Sequence, residues 1–443
     1  MAKPTRREFM LGEGSGTGSG SQNLHLGVGP QHPAMHGIIR IEAELDGEVI
    51  VDADVEIGYL HRAFEKDCEV GGYNNAIPYT DRLNYVSPLI NNFGYASAVE
   101  KLLGIDVTER CKYIRVIMSE ISRVCDHLTC VGASAMELGA FTVFLYMIKA
   151  REFLWELVED VTGARLTISY GRVGGVKADL PPGFADKTRH AFKQTREVLD
   201  EVHRLLTDNR IFMDRMVGVG ALSRDETIAY AITGPLLRAV GVPYDVRRAQ
   251  PYYVYDRLEW DVVTQKDGDN YARYLVRMAE MEQSMRIAEQ ALDAIPGGPI
   301  NVDFEGREIP VDAYVDRGKQ GKTEGLLLLP ITLSPNLEGQ GRAAQERVNV
   351  ADKSVVMPPK ETAYGSIEGL MNHFMLVMDG YGIRPPNGEA YFAAEGANGE
   401  LGFYVVSDGS DRPYRVRCRP PCLPPVAALP RMIEGQKIGR AHV

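Results

Sequence analysis

Gly29-Pro30-Gln31-His32-Pro33-Ala34-Met35-His36-Gly37 places two imidazoles in a turn too stiff to be an ordinary linker. Pro30 and Pro33 fix φ and remove two backbone donors, while Gly29 and Gly37 permit left-handed or close-approach geometry at either end. On the near side Leu24, Leu26 and Val28 alternate with polar or small residues. On the far side Ile39, Ile41, Ala43 and Leu45 alternate with Arg40, Glu42 and Glu44. Both flanks read as strands. Asp46-Gly47 is a two-residue hairpin signal into Val49, Val51, Ala53 and Val55, so the chain opens as a small antiparallel sheet carrying a histidine finger. The spacing of His32 and His36 would suit two metal ligands on one helix face, but Pro33 and the flanking strands favour a loop. Standing alone, the stretch also fits capped turn histidines with no chemistry.

The rest of the composition bounds the problem. A chain of 443 residues with 44% hydrophobic content buries a large core. A formal net charge of -11, with no basic stripe, argues against general nucleic-acid binding. The longest apolar stretches, Gly139 to Ile148 and Gly325 to Leu333, fall short of the roughly 20 residues that cross a bilayer. Met1 to Met10 is basic, but a Gly/Ser tether from Gly12 to Ser21 follows it where a signal peptide would have an apolar core. The chain is therefore expected to be cytoplasmic. Cysteines at 68, 111, 125, 130, 418 and 422 suggest thiols and not a disulfide framework.

Gly58 to Lys66 suits the start of a helix, and Ser87-Pro88 opens another that ends near Leu103-Gly104. Between them Tyr79-Thr80-Asp81-Arg82-Leu83-Asn84-Tyr85 is rich in aromatics and polar groups. From Thr108 to Gly163 apolar residues recur at three and four spacing, with interruptions expected near Gly132 and Gly139. Asp126, His127 and Glu137 lie inside this apolar run, where desolvation would perturb them; paired core polar groups are the plainer reading. After a Gly/Pro-rich break at 163–183, helices are expected over Ala185 to Asn209, over Ser223 to Val240 with a Ser223/Glu226 capping box, and over Asn270 to Ile295. Strands return at Ala390 to Ala394, Leu401 to Ser407 and Tyr414 to Arg417. The fold class is α+β: a mostly helical bundle core, a small N-terminal antiparallel sheet and short C-terminal strands. Five segments are expected: a flexible tail (1–23), the sheet with its His loop (24–57), the helical core (58–298), a loop-rich insertion (299–360) and a C-terminal α/β segment (361–443).

Nucleotide and metal motifs fail. Gly321-Lys322-Thr323 lacks the P-loop glycine five positions earlier, where Asp316 stands, and the glycines at 12–20 have no strand-helix frame. Cys125 with Cys130, or Cys418 with Cys422, lacks a matching pair at metal spacing.

Taken in order, GPQHPAMHG, GYLHRAFEK, YTDRLNY, SRVCDHLTCVGASAMELGA, GARLTISYGRVGGV, NHFMLVMDGY and YVVSDGSDRPYRVRCRPPC resemble the D-type subunit family of respiratory NADH:quinone oxidoreductase. The resemblance runs from Leu24 to Gly435 and implies a fold like that of nickel-iron hydrogenase large subunits. Those hold their metal with two cysteine pairs, whereas here Cys68 is alone at the early position. It therefore implies no metal and no iron-sulfur cluster in this chain, and a former metal pocket open to quinone. By the same resemblance His36 and Tyr85 bind and protonate the quinone headgroup, with His32 nearby. Glu137 takes the place of an aspartate linked to His36, and Arg62, Arg82 and Thr167 lie near a partner's cluster. Thr167 replaces a histidine that many members carry. Implied partners are a B-like iron-sulfur protein and a C-like protein of the peripheral arm, together with an H-like membrane protein, with NAD bound elsewhere in the complex. The implied place is the cytoplasmic side of the bacterial inner membrane. The family pattern continues through a final helix, so the chain reads as truncated, with Ile438 to Val443 matching a translated sequencing adapter. A hydrogenase-like metalloenzyme and a structural scaffold are the competing functions.

Overall fold

The computed structural model describes residues 23–32, 37–302, 306, 308, 360–378 and 383–439. His36, with Pro33 to Met35, lies outside them, as do Gly321 to Thr323 and most of the expected loop-rich insertion.

The opening sheet forms as its alternation requires. Strands β1 (Leu24–Val28), β2 (Arg40–Asp46) and β3 (Val49–Glu56) pair antiparallel in that order, and a bulge falls between Glu44 and Leu45. Ile41, Ala43, Leu45 and Ile50 turn to a buried cluster that includes Ile433, so the period-2 pattern decides which face is covered. Helix α1 (Phe64–Val70) follows. Helix α2 (Pro88–Leu103) starts with proline at its first turn and stops at Gly104.

Two long helices dominate the core: α3 (Glu109–Glu137) and α4 (Phe141–Thr162). Gly139, at φ +94°, makes the sharp turn between them. Gly132, expected to interrupt the run, lies inside unbroken α3. A Cβ there would stand 3.0 Å from Met147 Cβ, so this glycine is used for the close approach of α4 and not for a break. Helix α5 (Phe184–Val202) passes into a π turn (His203–Thr207), and α6 (Asn270–Ala294) packs back on α3. The helix expected over Ser223 to Val240 is two short ones, Arg224–Ala229 and Pro235–Ala239. The Ser223/Glu226 capping box is present, but Gly234 at φ +73° and Pro235 end any continuous helix. Strands β4 (Gly388–Gly396), β5 (Gly399–Ser407) and β6 (Arg415–Arg419) form a second antiparallel sheet, and helix α7 (Leu423–Ile433) follows it.

Propensity alone would reward a side chain at a mid-helix glycine, but the α3/α4 contact reverses the sign. Gly132→Val is expected to lower the urea midpoint by an amount worth about 1–3 kcal/mol, with an unchanged m-value. An unmoved midpoint would show that α4 is not held at this distance.

Candidate functional site

The site begins with an amide that joins two loops. Asn92, buried on α2, donates from Nδ2 to Asp81 Oδ1 (2.7 Å) and Thr80 Oγ1 (2.8 Å), and its Oδ1 accepts from Tyr170 N (3.0 Å). Asp81, also buried, accepts through Oδ2 from Ser169 N (3.0 Å) and Ser169 Oγ (2.6 Å). The YTDRLNY segment is thereby fastened to the 167–171 loop, which brings Arg82 and Thr167 to one side of the molecule. Thr167 and Ser169 hold φ of +51° and +43°, a left-handed geometry that costs a non-glycine residue roughly 1–3 kcal/mol and persists only when its surroundings enforce it. At Ser169 the two bonds to Asp81 supply that enforcement.

Past Arg82 the segment turns over a second buried acid. Asp126 on α3 accepts through Oδ2 from Asn84 Nδ2 (2.6 Å) and Ser87 Oγ (2.7 Å). Asn91 Nδ2 in turn donates to Asn84 O (3.2 Å). These bonds fix Leu83 to Val86 as one wall of a cavity of about 530 Å³. The floor is a stripe of α3: Asp126, Thr129, Cys130, Ala133, Ser134 and Glu137, which recur at helical spacing and so share one face. Gly37, where the chain leaves the histidine loop, stands at the rim.

The opposite wall comes from the second sheet. Gly396, Ala397 and Asn398 line it together with Cys418, Pro420, Pro421 and Cys422. Arg123, fully buried one turn before Asp126, holds this wall in place: Nη1 donates to Gly396 O (2.8 Å) and Nη2 to Glu395 O (2.6 Å). Burial pushes the Cys418 thiol up to about 12, while the desolvating wall and then Asp126 push the more open Cys422 up to about 11, so both are protonated at neutral pH. Cys68 is buried in the hydrophobic cluster against which Cys418 packs. Among the described residues no group of three or more His, Cys, Asp or Glu side chains could hold a metal ion.

The sequence matches the family described as "Respiratory-chain NADH dehydrogenase, 49 Kd subunit" over residues 137–323 and 340–441. It is 47% identical over 413 residues to the NADH-quinone oxidoreductase D subunit of Myxococcus xanthus, covering 93% of this chain and 88% of the relative. It is 48% identical over 414 residues to the corresponding D 1 subunit of Sorangium cellulosum, covering 93% and 90%. The chain belongs to this 49 kDa subunit family. A fused relative, the C/D subunit of Bdellovibrio bacteriovorus, is 44% identical over 418 residues, covering 94% of this chain and 66% of the relative. The α+β architecture is the hydrogenase large-subunit-like fold that membership in the 49 kDa family carries.

Of the residues singled out from the family resemblance, Tyr85 and Glu137 line the cavity. Tyr85 is 52% exposed and Glu137 half-buried at the last residue of α3. His32 is half-buried in the finger's described part and is not among the lining residues. Arg82 is exposed, with Nη1 3.7 Å from Asp81 Oδ2; Thr167 is exposed in its loop; Arg62 is exposed just before α1; none of the three is among the lining residues. Sequence reasoning saw Asp126 only as a polar residue in an apolar run and missed the stripe, whose four, three and four spacing through 126, 130, 133 and 137 was its signal. Asn84, Ser87 and Asn92 carried none, because their partners lie on other elements.

His127 points away from the cavity, about 100° around the helix from Asp126. Its Nε2 lies 3.0 Å from Glu280 Oε2 in a fully buried setting. Burial pushes the imidazole below its ordinary value, and the Glu280 bond only partly offsets this. The Glu280 carboxyl is pushed up by burial but pulled down further by Arg238 and His127. A neutral imidazole donating to a carboxylate follows. Because the unfolded imidazole titrates near 6.5 and the folded one lower, the unfolded state binds more protons in that range and stability rises with pH. The contribution is full above about 6.5 and is lost progressively below it. The wild-type advantage over His127→Gln, which keeps a donor toward Glu280, is expected to shrink between about pH 7 and 5 in urea titrations. Parallel stability curves would contradict this.

Proposed function

We propose that this chain forms the quinone-reducing chamber of the peripheral arm of NADH:quinone oxidoreductase, with the headgroup held between the Leu83–Val86 wall and the Glu137 end of α3. The observation that carries the reading is the convergence, on one 530 Å³ cavity, of Tyr85, Glu137 and the exit of the histidine loop. That volume lies within the roughly 300–1,000 Å³ range of small-molecule sites. Prolines, alanine and leucine give such a ring an apolar wall, and Tyr85 and Glu137 put polar groups at its edge.

Reduction of a quinone takes two electrons and two protons, one proton for each carbonyl oxygen. In this reading Tyr85 Oη donates to one oxygen and His36 to the other, the Glu137 carboxylate, with a longer arm than aspartate, orients the imidazole and favours its protonated form, and both donors regain their protons from solvent. His32 belongs to the same finger and helps shape the headgroup end. Electrons arrive from an iron-sulfur cluster held by a B-like partner. Arg82 and Arg62 face that partner, where positive charge favours an added electron. Thr167 stands beside them and does not titrate, so the proton linkage of that cluster does not pass through this position. NAD is bound elsewhere in the complex. An H-like membrane protein closes the chamber from below, on the cytoplasmic side of the inner membrane; no helix among the described residues is long and apolar enough to cross a bilayer. The fused Bdellovibrio relative supports a C-like neighbour.

Tyr85→Phe removes one hydroxyl from an exposed position and leaves the Asn84, Ser87 and Asp126 bonds in place. In the assembled complex it is expected to slow quinone reduction by roughly 10²-fold while electron delivery to artificial acceptors upstream is unchanged. Wild-type quinone turnover in this variant would remove Tyr85 from the mechanism. A loss of complex assembly without a turnover defect in the remaining complex would favour the scaffold reading.

A further inference from the structure

Behind the α3 stripe lies a second cavity of about 180 Å³, which shares Cys130 and Ser134 with the larger one and is closed by Phe212, Tyr274, Arg273 and Arg277. The two arginines are four apart on α6, so they stand one above the other on the same face. Arg273 is only 7% exposed. Its Nη1 donates to Asn270 Oδ1 (2.7 Å) and its Nη2 to the carbonyls of Gly220 (2.7 Å) and Gly268 (2.9 Å). Arg277 Nη1 reaches Arg273 O at 3.5 Å. Neither Nε has an acceptor among the described residues. Asp269, whose charge acts on Arg273, gives its oxygens to the N–H groups of Ala272 (2.8 Å) and Gly218 (2.7 Å).

The contrast with the other buried arginines is sharp. Arg115, Arg123, Arg238 and Arg247 each face at least one carboxylate within 3.1 Å. Arg273, buried, and Arg277, half-buried, instead repel one another; the Asp269 charge acts on Arg273 but its oxygens are taken by backbone N–H groups, and both Nε donors are unused. A buried cation without a counter-charge is costly, and a guanidinium is shaped to take a carboxylate or phosphate through paired N–H groups. At about 180 Å³ the cavity is smaller than the roughly 300 Å³ at which drug-sized sites begin, but it admits a single oxyanion.

We propose that this cavity is an oxyanion subsite in which a carboxylate or phosphate group bridges Arg273 and Arg277. The anion stands directly behind the quinone cavity wall at Cys130 and Ser134. It offsets the positive field that Arg277 exerts on His127 and Cys422. Two sources have this chemistry: a free anion, or an acidic side chain contributed by a neighbouring protein of the complex.

The test titrates the purified full chain with inorganic phosphate against chloride at matched ionic strength and follows Tm. A saturable rise specific to phosphate is expected, abolished in Arg277→Gln and partly kept in Arg277→Lys. Equal shifts with chloride, or an undiminished shift in both Arg277→Gln and Arg273→Gln, would overturn the proposal. Should the Gln variants fail to fold, the Lys variant decides by its apparent affinity for phosphate, which must weaken at least several-fold. Equilibrium dialysis of the assembled complex with labelled phosphate then separates the sources. Binding retained in the complex identifies a free anion, and binding present only in the isolated chain identifies a neighbour's carboxylate.

Discussion

The buried guanidinium of Arg123 is the contact on which the rest of the site depends. It ties the turn between β4 and β5 to α3, and it sits in a cluster that water does not reach. Arg123 pairs with Glu120 (3.1 Å); Arg247 pairs with Glu120 (3.1 Å) and Asp245 (2.6 Å); Arg238 pairs with Glu280 (2.6 Å) and Glu395 (2.8 Å). Tyr255 donates to Glu120 (2.6 Å), and Arg247 stacks over Trp260. Three guanidiniums thus face four carboxylates. Burial and then Asp245 push the Glu395 carboxyl up, the direction that brings the cluster toward charge balance. Such a network contributes little net stability over an apolar core, but removing one member costs about 3–5 kcal/mol because its partners are left buried and unpaired. Its role here is placement: helices α3 and α6, the 238–247 segment and strand β4 have one mutual arrangement in which every charge is met.

Helix α3 then works as a divider. One face carries Glu120, Arg123 and His127 into the ionic cluster. The adjacent face carries Asp126, Cys130, Ala133 and Glu137 into the cavity, and the remaining positions pack against α4 through Gly132 and Met147. The same rigid helix holds Asp126, which anchors the loop carrying Tyr85 through Asn84 and Ser87, and Glu137, which ends the stripe, so the loop is fixed against the helix that carries the second acid. Groups held on rigid elements keep a site's geometry better than groups on free loops.

Much of this was legible from the chain. The opening sheet followed from period-2 alternation around a proline-stiffened turn, α2 from its proline start and glycine stop, and the later strands from their alternation. Tyr85 and Glu137 came from the family resemblance, and the structure puts both on one cavity. What sequence could not show is pairing at long range. Gly132 reads as a breaker until Met147 is known to lie against it, and the Ser223 to Val240 pattern reads as one helix until the Thr233-Gly234-Pro235 turn is seen to fold against the second sheet. Asn92, Asp81 and Arg123 look like ordinary polar residues because each acquires its meaning from a partner on another element. The thiols at 418 and 422 have no matching pair at metal spacing in the sequence, yet both line the cavity.

The central claim is that the headgroup lies between the Tyr85 segment and the stripe of α3. Photolabelling of the assembled complex with an azido-quinone, followed by peptide mapping, tests it most directly. Label on Leu83 to Ser87, on Thr129 to Glu137 or on Cys418 to Cys422, displaced by excess unlabelled quinone, is the result this account requires. Displaceable label confined to other surfaces of the chain, or absent from it while another protein of the complex is labelled, would contradict it.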